Sequence, residues 1–227
     1  MQTWYYFDSG PGEPAFNMAL DHALLEAMPR LGTPVLRSYS WTVPAATFGY
    51  FQRIADVESL TPLRSLVRRP TGGGIVPHDA DWTYSMVFPA GHGWYQLKAL
   101  ESYRRVHSWL MAAFALLDLP MELAPAPLKR GPGQCFVGYE RYDLLWRGQK
   151  LAGAAQRRTR DGLLVQGSVQ PRPAGIARGD WERAMHEAQV RSLHVKWLEF
   201  QADAALENRA GDLARNRYSQ PAYNHKR

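Results

Sequence analysis

Two periods of apolar spacing alternate along this chain, and the switches between them mark its elements. "TWYYF" (residues 3–7) has the aromatic richness of a strand. "DSGPGEP" reads as a loop after it. In "AFNMALDHALLEAM" the period changes to that of a helix, placing Phe16, Leu20, Ala23, Leu24 and Ala27 on one stripe. "PVLRSYSW", "AATFGYF" and "SLVRRP" read as three strands. A glycine triplet interrupts, and "WTYSMVF" (residues 82–88) resumes as a strand. Residues 96–117 predict a long amphipathic helix with Tyr103, Val106, Leu110 and Phe114 inward. Residues 125–134 are rich in Pro and Gly and read as an exposed loop leading to Cys135. "YDLLW", "QKLAGAAQRR" and "LLVQGSV" then predict consecutive hairpins turning at Arg147-Gly148 and Asp161-Gly162. From about residue 180 the pattern is helical, ending in the irregular "YSQPAYNHKR". Strands dominated by hairpins, interleaved with helices, predict an α+β fold with a mixed or antiparallel β-sheet flanked by helices. No repeat or linker divides the chain, so residues 1–227 read as a single domain with a helical C-terminal segment.

Composition adds boundaries. At 227 residues the chain can bury a proper core without disulfide or metal. Cys135 is the only cysteine, so no internal disulfide forms and a reducing, cytoplasmic location is expected. The start of the chain shows no basic-then-apolar leader, and the longest apolar run, residues 109–117, is too short for a bilayer. A net charge of +6 favours acidic partners without choosing one. The arginines near Gln156 lack the aromatic stacking platform of an RNA-binding module, so neither nucleic acid nor membrane is the expected partner.

The densest chemistry lies in "RRPTGGGIVPHD". Gly72, Gly73 and Gly74 carry no Cβ, so a ligand can approach bare backbone, and their N–H groups can face an anion. A strand-to-strand bend explains a bare triplet equally well; flanking Arg69, His78 and Asp79 favour function. The spacing fits neither a P-loop nor the dinucleotide fingerprint. His78 reads as a catalyst or as a structural pair with its aspartate neighbour. No histidine or cysteine spacing suits a metal. Cys135 reads as a small buried hydrophobe or as a nucleophile, and Lys150 as a surface lysine or as a cation beside the slim apolar wall of residues 151–155.

Four segments in order resemble the lipoate/biotin protein ligase and octanoyltransferase superfamily. "FNMALDHALL" resembles its first helix and "RRPTGGGIVPHD" its ligand loop. "GQKLAGAAQRRTRDGLLVQGSV" resembles its lysine strand and the strand after it, and "RYSQPAYNHKR" the segment closing the catalytic domain, with Tyr223 where the family has tryptophan. "QCF" fifteen positions before Lys150, together with "HDADWTYSMV", is similar to the branch that uses a cysteine nucleophile. Gly74 is instead ligase-like. The resemblance implies a catalytic Cys135 and Lys150. It implies substrate binding by Arg69, Gly72, Gly73, Gly74, His78, Asp79, Gly153, Ala155, Gln156, Gly167 and Ser168. The implied reaction is transfer of octanoyl from acyl carrier protein to a lysine of a lipoyl-domain protein, in lipoate biosynthesis, without cofactor. The alternatives are an ATP- and Mg-dependent lipoate ligase, an amidotransferase between lipoyl domains, and a non-catalytic acyl-binding protein.

Overall fold

The computed structural model describes residues 1–128 and 136–226. In chain order it contains β1 (Gln2–Gly12), α1 (Pro14–Leu31), β2 (Val35–Trp41), β3 (Ala45–Phe48), α2 (Ile54–Glu58), β4 (Ser65–Arg68), β5 (Val76–His78) and β6 (Trp82–Pro89). There follow α3 (Ala99–Ala115), β7 (Glu122–Leu123), β8 (Leu144–Trp146), β9 (Gln149–Thr159), β10 (Gly162–Val169), α4 (Arg178–Leu193), β11 (Val195–Glu199) and α5 (Ala204–Leu213). A π-helical turn, Ala214–Tyr218, and α6 (Pro221–Asn224) complete the described chain.

The larger sheet has the order β11-β1-β2-β6-β10-β9-β8-β7 and the smaller one β4-β3-β5. Both are mixed: β1 runs parallel to β2 and β11, and β3 parallel to β4, whereas β2–β6, β6–β10, β10–β9 and β9–β8 are antiparallel. Alternation along β6 divides the core. Trp82, Tyr84, Met86 and Phe88 join the cluster that includes Val106 and Leu110 of α3 and Trp181 and Met185 of α4. Val87 joins Val35, Tyr39 and Leu164 against Met18, Leu20 and Leu24 of α1. Each large apolar side chain buried this way contributes about 1.5–3 kcal/mol. Trp4 anchors the first cluster, edge-on to Phe88, Trp94, Trp109 and Trp197.

Local signals account for the boundaries. Pro14 sits in the first turn of α1, and Gly32, at φ 62°, ends the helix by donating its N–H to Met28. Arg147 and Gly148 both have positive φ, as the two-residue β8–β9 turn requires. The second hairpin turns one residue earlier than expected: Thr159 pairs with Gly162 around Arg160-Asp161. Three further sequence readings change. "DSGPG" is not loop but the end of β1, paired with β2 across a register shift between Asp8 and Pro11. The C-terminal segment is interrupted by β11, which pairs with β1 at the sheet edge. The α1 stripe is broader than expected: Phe16 and Ala27 are half-buried, while Asn17 and Asp21 are fully buried. Among the described residues no helix is long and apolar enough to cross a membrane.

Candidate active site

A cleft of about 680 Å³ is bordered by β9 and β10, by β3 and β5, and by the glycine loop between β4 and β5. Arg69, Gly72, Gly73, Gly74, His78, Lys150, Gly153, Ala155, Gln156, Gly167 and Ser168 all border it. Two predicted residues stand apart. Asp79 is exposed and faces a second hollow of about 420 Å³, which shares Lys150 and Phe136 with the first. Cys135 lies outside the described residues.

The glycine-loop wall is held by buried cations. Arg69 donates to the carbonyls of Thr47, Gly72 and Gly74, at 2.7 Å for the last. Its donors therefore shape the loop, and the loop backbone, not the guanidinium, is the surface offered to a ligand. Gly73 has φ +87°, and a side chain at Gly49 would collide with the Gly73 carbonyl, so the loop lies directly on β3's end. Arg68 donates to the carbonyls of Tyr50, Gln52, Tyr223 and Asn224, and its N–H reaches Asn224 Oδ1 at 2.8 Å. Thr71 donates to Gln166 Oε1 at 2.7 Å, and Gln166 Nε2 donates to Asp21 Oδ2 at 2.7 Å. Asp21 also accepts from Arg37, Tyr39 and Ser85, so helix α1, the sheet and the loop share one buried polar network.

His78 is paired, but not with its neighbour. Its Nδ1 lies 2.8 Å from Asp81 Oδ2, and its Nε2 lies 2.9 Å from Thr47 Oγ1. The strand ends at His78 and the backbone bends at residues 79–80, so Asp79 leaves the site while Asp81 is turned back to the ring. The Asp81 oxygen also accepts from Thr83 and Ser168, at 2.8 and 2.7 Å. Burial alone would raise this carboxyl, but the adjoining His78 and these hydrogen bonds together hold it below its ordinary value. The His78 ring stacks on Trp41 with centroids 4.1 Å apart. Held on both nitrogens and one face, it organises the wall.

The opposite wall is sparse. Gly153, Ala154 and Ala155 offer little beyond backbone, and Lys150 supplies the cation. Its Nζ donates to Asp143 Oδ2 at 2.7 Å, with both side chains more than nine-tenths buried. Asp143 Oδ2 also accepts from the Glu140 N–H at 2.7 Å. A methyl group at position 153 would fall 2.6 Å from Lys150 Cε and Nζ, so the lysine reaches across space left by the missing side chain. Phe136, the residue after Cys135, has its ring 4.9 Å from the Lys150 ammonium. A side chain at Gly167 would collide with the Tyr84 ring, whose hydroxyl is buried without a partner among the described residues and raised far above its ordinary pKa by burial.

Asp143, Asp81 and the Asp21–Gln166 pair were not legible in the sequence; only "YDLLW" directly before the lysine hairpin could have drawn attention to Asp143. Among the described residues no three His, Cys, Asp or Glu side chains come together to hold a metal ion. The arrangement can seat an apolar chain along the small residues of β9 and place an ammonium against a polar carbonyl at its end.

Residues 13–173 match the family model for the lipoyl protein ligase A/B catalytic domain. The chain is 37% identical to an octanoyltransferase LipM of Carboxydothermus hydrogenoformans, over 86% of this chain and 73% of that protein. It is 33% identical to the octanoyltransferase LipM of Staphylococcus aureus, over 74% of this chain and 66% of the other. The chain thus spans about two thirds to three quarters of the length of these relatives. In fold it is similar to a T. acidophilum protein with bound lipoic acid, at TM-score 0.80 and 19% identity, covering 99% and 100% of the two chains. It is equally similar to a lipoate-protein ligase A bound with ATP, at TM-score 0.80 and 19% identity over 99% of each.

Proposed function

The chain belongs to the lipoyl protein ligase A/B catalytic-domain family, and from that premise we propose that it is an octanoyltransferase working through a thioester on Cys135. The donor is octanoyl-acyl carrier protein and the acceptor a lysine of a lipoyl-domain protein, in the cytoplasm. The Cys135 thiolate attacks the donor's thioester carbonyl; the carbon–sulfur bond to the carrier breaks, and the carrier leaves as its thiol after taking up a proton. The neutral acceptor amine then attacks the enzyme thioester, forms the amide, and releases Cys135 with loss of the amine proton. Thioester exchange conserves activation, so the sequence needs no nucleotide.

The observation that carries this reading is the Lys150 ammonium, tethered by Asp143 over the vacancy at Gly153 and facing Phe136, the residue bonded to Cys135. An unperturbed thiol, with a pKa near ~8.5, is mostly protonated at neutral pH, so a neighbouring cation favours its reactive form. The same ammonium can orient the acyl carbonyl, and backbone N–H groups near Gly153 and in the Gly72–Gly74 loop serve the developing oxyanion. The net charge of +6 suits acidic protein partners.

The test is intact-mass spectrometry after mixing the protein with octanoyl-carrier protein and no nucleotide. Wild type gains one octanoyl group and Cys135→Ala gains none. Acceptor modification that proceeds only with ATP, and equally well in Cys135→Ala, would instead establish a ligase, the reading favoured by Gly74 and by the fold shared with an ATP-bound ligase. Octanoyl taken up from a modified lipoyl domain but not from the carrier would establish an amidotransferase.

A further inference from the structure

Behind Asp143, on the side away from the cleft, lies a group that this mechanism does not use. His107 on α3 is about 1% exposed, in the interior next to Val106 and Leu110. Its Nδ1 lies 2.6 Å from the carbonyl oxygen of Tyr142, and its Nε2 is buried with no hydrogen-bond partner among the described residues. A carbonyl can only accept, so the proton sits on Nδ1 and the ring donates. Burial lowers the His107 pKa to about 4, which keeps the ring neutral in this tautomer at physiological pH.

The acceptor is unusual. Tyr142 has φ +71°, a left-handed backbone that a bulky residue adopts at a cost of about 1–2 kcal/mol. Its N–H donates to the Ala124 carbonyl at 2.8 Å, and the Ala124 N–H donates to the Asp143 carbonyl at 2.9 Å. The strained residue is thus fixed by a hydrogen bond at each end, one of them from His107. The very next side chain is Asp143, which holds Lys150. Were Tyr142 to relax to an ordinary conformation, the following residue would be redirected and the carboxylate would leave the ammonium.

We propose that His107 is a positioning residue for Lys150, acting through the left-handed Tyr142 and the Asp143 carboxylate without touching substrate. The inference rests on the reading of Lys150 as part of the acyl-transfer site. It assigns a role in turnover to a residue of the core face of α3, remote in sequence from every motif that marks the site.

Four variants test it, with thioester formation followed by rapid-quench intact-mass spectrometry and melting temperature measured alongside. His107→Leu removes the donor and is expected to slow octanoyl loading of Cys135 by about 10- to 100-fold, with the concentration dependence on donor little changed. His107→Asn, whose amide can donate from near the Nδ1 position, recovers most of that loss. Tyr142→Gly in the His107→Leu background also recovers it, because glycine takes the left-handed conformation without strain. Tyr142→Gly alone loads near the wild-type rate. A residue that merely fills the core would not be rescued by glycine at position 142. Loading of His107→Leu at the wild-type rate, or a loss that neither Asn nor the glycine restores, overturns the proposal. If wild type itself fails to load, it is the thioester reading that falls.

Discussion

On the glycine-loop side of the cleft, Arg69 spends its guanidinium on the Thr47, Gly72 and Gly74 carbonyls, and His78 is held at both ring nitrogens. Thr71 is tied through Gln166 to the buried Asp21. On the β9 side, three small residues line the wall, and one ammonium leans on one carboxylate. An ammonium has three donors, and Asp143 is the only acceptor among the described residues that forms an ion pair with it. Polar groups on the first wall are consumed in giving the backbone its shape. On the second wall, the shape comes from side chains that are missing, and the polar group keeps capacity for chemistry.

That contrast makes substitutions on the two walls separable. The largest effect is expected at Asp21. Asp21→Ala strands the Arg37 charge in the core and should cost about 3–5 kcal/mol of stability, read by denaturant unfolding. A loss below about 1 kcal/mol would show that the network is dispensable. Lys150→Ala leaves the buried Asp143 carboxylate without its ion-pair partner, so it should lower the melting temperature as well as slow thioester formation by about 10²-fold or more. Normal loading would remove the lysine from the mechanism. Gly153→Ala is subtler: its methyl competes with Lys150 Cε and Nζ for the same space, so turnover should fall about 10-fold, with donor binding retained. Unchanged turnover would mean that the lysine works from elsewhere.

A separate effect is one of pH. An unfolded histidine titrates near 6.5, whereas burial lowers His107 to about 4. Between those values the unfolded chain binds a proton that the folded one refuses. Stability should therefore fall as pH drops from about 6.5 toward about 4, by up to about 1.4 kcal/mol per pH unit for this group. His22 and His186, also lowered to about 4 chiefly by burial, add to the same trend. Chemical denaturation across this range should show a shallower slope in His107→Asn; an identical slope would mean that His107 does not carry the linkage.

Local pattern carried much of the architecture. The helical period of α1 and the β8–β9–β10 hairpins were legible because each depends on neighbours in sequence. β11 was not, since its partner β1 lies at the far end of the chain and parallel pairing leaves no turn to announce it. "DSGPG" misled because its glycines and proline are turn residues, yet pairing with β2 across an irregular register outweighs that local preference. Eleven of the residues named from the family motifs border one cleft, but the side chains that orient them escaped notice. Asp81 and Asp143 acquire their roles only through the folded path of the backbone. Asp79, adjacent to His78 and for that reason the natural partner on paper, points elsewhere.

The clasp between Arg68 and the carbonyls of Tyr223 and Asn224 sets an order of assembly. A ribosome that has delivered residue 199 has already made every strand of both sheets among the described residues, but not the turn that accepts from Arg68 at the end of β4. Synthesis must pass residue 224, and that turn must clear the exit tunnel, before Arg68 beside the loop can complete its hydrogen bonds. Until then a growing polypeptide has no finished cradle in which to trap a fatty acyl group.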